Sequence, residues 1–435
     1  MTHVPPTVSV AFVTLGCPKN EVDSDRMAAA VRDSAYELVA SPDDADVVVL
    51  NTCAFIQPAT EESIAESFAL VGEWRPARDG RRVVVAGCLV SRYGSELAEA
   101  MPEPDAFLPV AEEDRILAVI EKLTGVPAHA HTDGIGRLAG GYTAYLKISE
   151  GCDRRCAYCT IPAIRGRFVS AAPESIVAEA RFLIGGGARE LILVGQDVSR
   201  YGSDRAELPD LASLVGELAI LDGDYRLRLM YVQPDGVTDR LLEVMAAHQR
   251  ICDYLDIPLQ HSSARILKAM GRPGSRESHL RLLARIRAVL PDVVLRTTVM
   301  AGFPGETEDD LRDLEEFISE AELDYVGVFP FFAEDGTRAA SMPGQVPEDL
   351  RHDRAQRLRD AADAIGFARA ASRVGSVQRV LVEGQDEDGE LVGRSDGQAP
   401  EVDGITFLEG EAPAGTLAAV RITDSVGYDS VGVMS

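Results

Sequence analysis

"TAYLKISEGCDRRCAYCT", residues 143–160, runs a strand-like segment straight into three cysteines spaced CxxxCxxC. Cys152, Cys156 and Cys159 fall on a loop, and three thiolates this close can wrap one face of an iron–sulfur cubane. A structural zinc site normally wants a fourth Cys or His, and none is obvious nearby. A 4Fe-4S cluster held by three protein thiolates leaves one iron open to a substrate.

Toward the C-terminus, "TAYLKIS" is followed by the strand candidates "ELILVGQD", "YRLRLMYV", "YLDIPLQ", "VVLRTTVMAG" and "YVGVFPFF". Helix candidates such as "ESIVAEARFLI", "TDRLLEVMAAH" and "TEDDLRDLEEFISEA" separate them. Six strands alternating with helices predict a (βα)6 barrel or partial barrel with its chemistry at the C-terminal strand ends. Toward the N-terminus, short apolar runs at 9–16, 46–52, 82–87 and 106–110 alternate with helix candidates, which predicts βαβ units and a parallel sheet. Three of these runs finish on a thiol: "AFVTLGC" at Cys17, "VVVLNTC" at Cys53 and "VVVAGC" at Cys88. One such cysteine reads as a small buried hydrophobe. Three of them, at the strand edge where open α/β sheets place their sites, read as a converging set.

The expected class is α/β, with an N-terminal parallel-sheet domain over 1–125 and a Gly-, His- and Thr-containing linker over 126–137. The partial barrel spans 138–368 and a small all-β module spans 369–435, led by a charged helical segment at roughly 347 to 373. At 435 residues, two or three domains are expected. No apolar run approaches the ~20 residues of a membrane span, and no secretory signal opens the chain. A cytoplasmic location without membrane attachment is the expectation. The net charge of −27 argues against broad attraction to nucleic acid and fits a cationic partner. From residue 375 onward, twelve acidic residues face three arginines.

CxxxCxxC after the first strand of a six-stranded βα barrel, with Tyr158 before the last cysteine, resembles the radical S-adenosylmethionine (SAM) superfamily. That resemblance implies a cluster whose open iron chelates SAM and whose electron cleaves it to a 5′-deoxyadenosyl radical. Three N-terminal cysteines, the barrel and a β-rich tail together resemble the methylthiotransferases, whose tail is a TRAM domain. "LGCPKNEVDSD", "NTCAFI", "VAGCLVSRYG", "LVGQDVSRYG", "DIPLQHSSARILKAMGR" and "AGFPGETEDD" all look like that family. "GCPKN" with "VDSD" resembles the branch called RimO, which modifies ribosomal protein S-twelve; the tRNA-modifying branch called MiaB typically reads GCQMN there. The resemblance implies that Cys17, Cys53 and Cys88 hold a second 4Fe-4S cluster.

The remaining candidates divide between scaffold and site. Cys252 reads as a buried structural thiol and His261 as a satisfied structural histidine. By resemblance, Tyr158, Gly187, Glu190 and Gln196 lie among the SAM contacts, although "IGGGARE" also reads as a helix C-cap and turn. Glu306–Thr307 in "GFPGET" either approaches a ligand or starts a helix. Arg165 and Arg167 are solvated charges or bidentate readers of a substrate carboxylate. No catalytic residue is expected beyond the cluster ligands.

The expected function is transfer of a methylthio group to the β-carbon of an aspartate in ribosomal protein S-twelve, using two 4Fe-4S clusters and SAM. The partners implied are the small ribosomal subunit and a reductant such as flavodoxin or ferredoxin, with the enzyme monomeric. One alternative is a tRNA methylthiotransferase acting on the adenosine beside the anticodon. Another is a non-enzymatic iron–sulfur carrier.

Overall fold

The computed structural model describes residues 7–129 and 135–434, so residues 130–134 of the expected linker lie outside the described residues. The chain forms two units. The first comprises residues up to Ala139 together with Glu150–Arg154 and Cys159–Val169, and the second comprises the rest.

In the first unit, five parallel strands lie in the order β2-β1-β3-β4-β5: β1 Ser9–Thr14, β2 Glu37–Leu38, β3 Val47–Thr52, β4 Arg82–Gly87 and β5 Ala106–Pro109. Central β3 is buried along its whole length, which is why it reads as a continuous apolar run. Its alternate residues feed two cores, with Val48 and Leu50 on one face and Val47 and Val49 on the other. The second face takes Met27 and Val31 from helix α1 (Pro18–Arg32), and each such burial stabilises by roughly 1.5–3 kcal/mol. Helix α2 (Gln57–Ala69) follows β3, and helix α3 (Cys88–Ala100) starts directly on the last cysteine. The edge strand β2 has no counterpart among the sequence-predicted runs. It is two residues long, too short to carry a periodic signal.

In the second unit, six parallel strands follow chain order across an open sheet: Thr143–Lys147, Glu190–Val194, Arg226–Leu229, Ile251–Asp256, Val294–Ala301 and Tyr325–Pro330. This is the expected (βα)6 partial barrel. Helix starts are set by local capping: Ser275 and Thr307 each form a reciprocal capping box, and Thr238 accepts from the Leu241 amide. Leu255, Leu295, Leu314 and Phe317 contribute to one continuous apolar core.

The 24-residue helix Glu348–Ala371 leads into a closed five-stranded barrel. The tail segment from 417 to 434 resolves into a hairpin, Leu417–Val426 with Asp429–Met434, turning at Gly427 with φ +64°. Thr406–Glu409, unseen in the sequence, completes the barrel by pairing with the second arm of that hairpin. Among the described residues no helix is long and apolar enough to cross a membrane.

Candidate metal centre at the strand ends

β1, β3 and β4 are adjacent, and the chain leaves each of them through a cysteine. Cys17 precedes the first turn of α1, and its carbonyl accepts from the Asn20 and Glu21 amides. Cys53 follows β3, where its amide donates to the Ser63 hydroxyl, which in turn donates to the Cys53 carbonyl. Cys88 opens α3. All three are free thiols.

Two glycines let the backbone close up here. A side chain on Gly16 (φ +101°) would strike the Cys53 Cβ, and one on Gly87 (φ +92°) would strike the Asn51 side chain. Asn20 ties the corner together, donating to the carbonyls of Leu15 and Thr52, both at 2.9 Å.

Burial raises the Cys53 thiol and pushes Cys88 up to about 12, while the Arg165 guanidinium opposes both shifts. Cys17 acts as nearby negative charge on both, and Cys53 does so on Cys88. Closely spaced thiols with a buried cation beside them fit an anionic thiolate-held cluster, because a metal replaces the protons that burial otherwise retains. Among the described residues no three His, Cys, Asp or Glu side chains are grouped to hold a single metal ion. A cubane needs no such group, since each thiolate binds a different iron.

The second triplet lies on irregular backbone, as expected. The Cys152 amide donates to the Gly166 carbonyl, and its sulfur accepts from the Arg154 amide at 3.4 Å. Cys152 and Cys159 belong to the first unit and Cys156 to the second. The Cys156 sulfur receives Arg272 Nη1 at 3.9 Å. Its neighbours Ala157 and Tyr158 pack with Ile266, Met270, Phe303 and Phe331. None of the three forms a disulfide.

Arg165 is committed inside the protein. Its side chain is 2% exposed and paired with Asp23 at 2.6 Å, also contacting Glu150, Asn20 and Cys88. Arg167 is 90% exposed beside Asp153. Asn20 and Asp23 lie inside "GCPKNEVDSD", so residues valued as a family signature prove to be the polar frame of the cysteine corner.

Two of the expected SAM contacts lie at the N-terminal end of their strand. Glu190 is the first residue of its strand, paired with Thr143 of the neighbouring strand, at the end remote from the cluster loop that follows Lys147. It is fully buried and receives Arg226, Arg228 at 2.7 Å and Arg394 at 2.6 Å. Burial alone would raise this carboxyl, but three guanidiniums override it and hold it well below the usual carboxylate range. Gly187 (φ +109°) belongs to the turn that ends helix Pro173–Gly185, where the 186, 187 and 188 amides return to its last carbonyls. Gln196 lies two residues beyond the opposite end of the same strand, on the edge that carries the cluster loop.

His261 is fully buried, with Nδ1 accepting from the Ser263 amide and Nε2 3.5 Å from Glu306. Glu306 also takes the Gly302 amide and Arg354, each at 2.9 Å, and Thr307 caps the next helix. Cys252 is fully buried and raised to about 12 by burial, with its sulfur 3.8 Å from Asp396.

The fold and paired cysteine triplets define a radical SAM protein with an added N-terminal cysteine domain. Family models agree: the radical SAM superfamily matches residues 146–318, the uncharacterized protein family UPF0004 matches 9–109, and the TRAM domain matches 374–434. The ribosomal protein uS12 methylthiotransferase RimO of Geobacter sulfurreducens is 42% identical over 97% of this chain and 98% of its own. The RimO of Pelotomaculum thermopropionicum is 43% identical over 98% and 99%. The chain belongs to the RimO family of methylthiotransferases. Among solved structures, the radical SAM methyltransferase TsrM from Kitasatospora setae matches with a TM-score of 0.56 over 90% of this chain and 87% of its own. At 16% identity that likeness concerns the fold.

Proposed function

We propose that this enzyme places a methylthio group on the β-carbon of an aspartate in ribosomal protein uS12, with SAM as co-substrate and two 4Fe-4S clusters as cofactors. The carrying observation is that Cys17, Cys53 and Cys88 leave three adjacent parallel strands as free thiols, in a chain that aligns end to end with RimO relatives. When bound, the two clusters supply radical cleavage of SAM and a sulfur that can be methylated and transferred. The protein supplies the ligands, Cys17, Cys53 and Cys88 for one cluster and Cys152, Cys156 and Cys159 for the other. Tyr158 and Gln196 are the SAM-side candidates at the productive strand ends. The target carbon carries an unactivated C–H bond that no side-chain base can deprotonate, so no general base is required.

The tail favours a basic protein over tRNA. Glu387, Asp388, Glu390, Glu401, Glu409, Glu411 and Asp424 are all exposed, and such a surface repels phosphates and attracts a cationic ribosomal protein. We further propose the boundaries 1–125, 138–368 and 369–435 as functional domains, a flavodoxin- or ferredoxin-type reductant, a monomer and a cytoplasmic site of action.

A competition assay tests the function. Reconstituted enzyme, SAM and reductant are incubated anaerobically with small ribosomal subunits and unmodified tRNA, and mass spectrometry follows the methylthio mass gain. A gain on a uS12 aspartate is expected. A gain confined to tRNA would overturn the substrate assignment while keeping the chemistry.

A further inference from the structure

We propose that Arg165 is a positioning residue for the N-terminal cluster, holding the Cys88 ligand in place and setting that cluster's reduction potential through a hydrogen bond to the Cys88 sulfur. The inference rests on the cluster reading above.

Arg165 ends the short helix Ile161–Arg165, and its guanidinium is fully enclosed. Nη1 meets Asp23 at 2.6 Å and Glu150 at 3.4 Å. Nη2 donates to the Asn20 side-chain Oδ1 and, at 3.3 Å, to Cys88 Sγ. The planar fork therefore serves a carboxylate pair with one nitrogen and the cysteine corner with the other, a division that the single ammonium of lysine cannot reproduce. Asn20 is held by its own amide donating to Leu15 and Thr52, so the acceptor that aims Nη2 is itself fixed.

If the ion pair with Asp23 were all that Arg165 supplied, no hydrogen bond to sulfur would be needed. That hydrogen bond has a specific consequence for a cluster ligand. A charged donor on a thiolate withdraws electron density and favours the cluster state that carries one more electron. Arg165 also lies six residues beyond Cys159 within the same unit. One short segment thus carries a ligand of one cluster and a hydrogen bond to a ligand of the other.

The test uses full-length protein with C152A, C156A and C159A, so that only the N-terminal cluster is reconstituted. Its potential is read by anaerobic redox titration followed by electron paramagnetic resonance. R165K and the double variant D23N/R165M are compared with the parent and with D23N. The double variant removes both buried charges together, which avoids stranding an unpaired carboxylate. The expected result is a more negative potential in D23N/R165M than in D23N, with R165K between the double variant and the parent. Potentials that coincide across the set overturn the proposal. Should the double variant fail to fold by circular dichroism, R165K decides, and an unchanged potential there overturns it. Failure of the parent to take up a cluster at all would instead overturn the function reading.

Discussion

Two buried charged networks in this molecule differ in what their arginines face. In the first, Arg165 faces Asp23, Asn20 and Cys88 at the C-terminal ends of β1, β3 and β4. In the second, Arg226, Arg228 and Arg394 close around Glu190 at the N-terminal ends of the central strands. The second is complete in itself. Arg226 also reaches Asp396, Arg394 reaches Glu383, and Arg228 lies over the Tyr254 ring, so every charge has a protein partner. It joins the last barrel to the strand ends, since Arg394, Asp396 and Glu383 all come from that barrel. The first touches the Cys88 thiol, one of the three proposed as ligands of the N-terminal cluster. A buried charged network marks a site when its anions can bind something else, and a scaffold when its anions are already neutralised.

The largest effect is expected from C88A. It should abolish methylthio transfer and halve the bound iron, while the fold and the SAM-cleaving cluster persist. Iron analysis with a deoxyadenosine assay checks this, and full iron content in C88A would break the comparison at its functional end.

At the scaffold end, E190A strands three buried guanidiniums. It should cost about 3–5 kcal/mol of stability, as removing one partner from a buried ion network does. Denaturant unfolding reads the loss, and the cluster spectra of the folded fraction should match those of the parent. Spectra that change with E190A would mean that the two ends of the strands are coupled.

The scaffold also predicts a pH dependence. Burial raises the Asp403 carboxyl to about 6, against the pull of Arg296 and hydrogen bonds from the Ala399 amide and Tyr254 hydroxyl. A raised carboxyl contributes stability in full below its unfolded value, near 4, and loses it as pH rises through about 6. Relative to D403N, the parent should therefore lose on the order of 2–3 kcal/mol between pH 4 and pH 6.5. A parallel pair of stability–pH curves would count against the burial of a titrating group there.

The smallest effects separate the two ends of a single strand. Q196A should weaken SAM binding about tenfold, or roughly 1.4 kcal/mol. G187A should leave it unchanged and cost about 1 kcal/mol of stability through its positive φ. Isothermal titration and thermal melts distinguish them, and a SAM defect in G187A would place Gly187 among the SAM contacts after all.

Much of this was legible beforehand. Alternating apolar runs and helix patterns announced the two parallel sheets, because strands covered on both faces must be apolar throughout. Cysteines at the ends of those runs announced the thiol corner that is proposed to hold a cluster. The ion pairing of Glu190 was hidden because the glycines just before it suggested a ligand loop, and its three arginine partners lie far away in sequence. Arg165 was misread for a similar reason. Beside a cysteine motif an arginine looks available, and only its burial against Asp23, far away in sequence, shows that it is taken. β2 and Thr406–Glu409 escaped because two to four residues cannot display a period.

By itself, then, the sequence determined the class of sheet, the two cysteine triplets and the family, since all are written in local runs and short spacings. Tertiary structure alone decided which charged residues serve the centre and which lock the scaffold. Ion pairing in a low-dielectric interior depends on what lies within a few ångströms in space, and the partners of Arg165 and Glu190 come from distant parts of the chain.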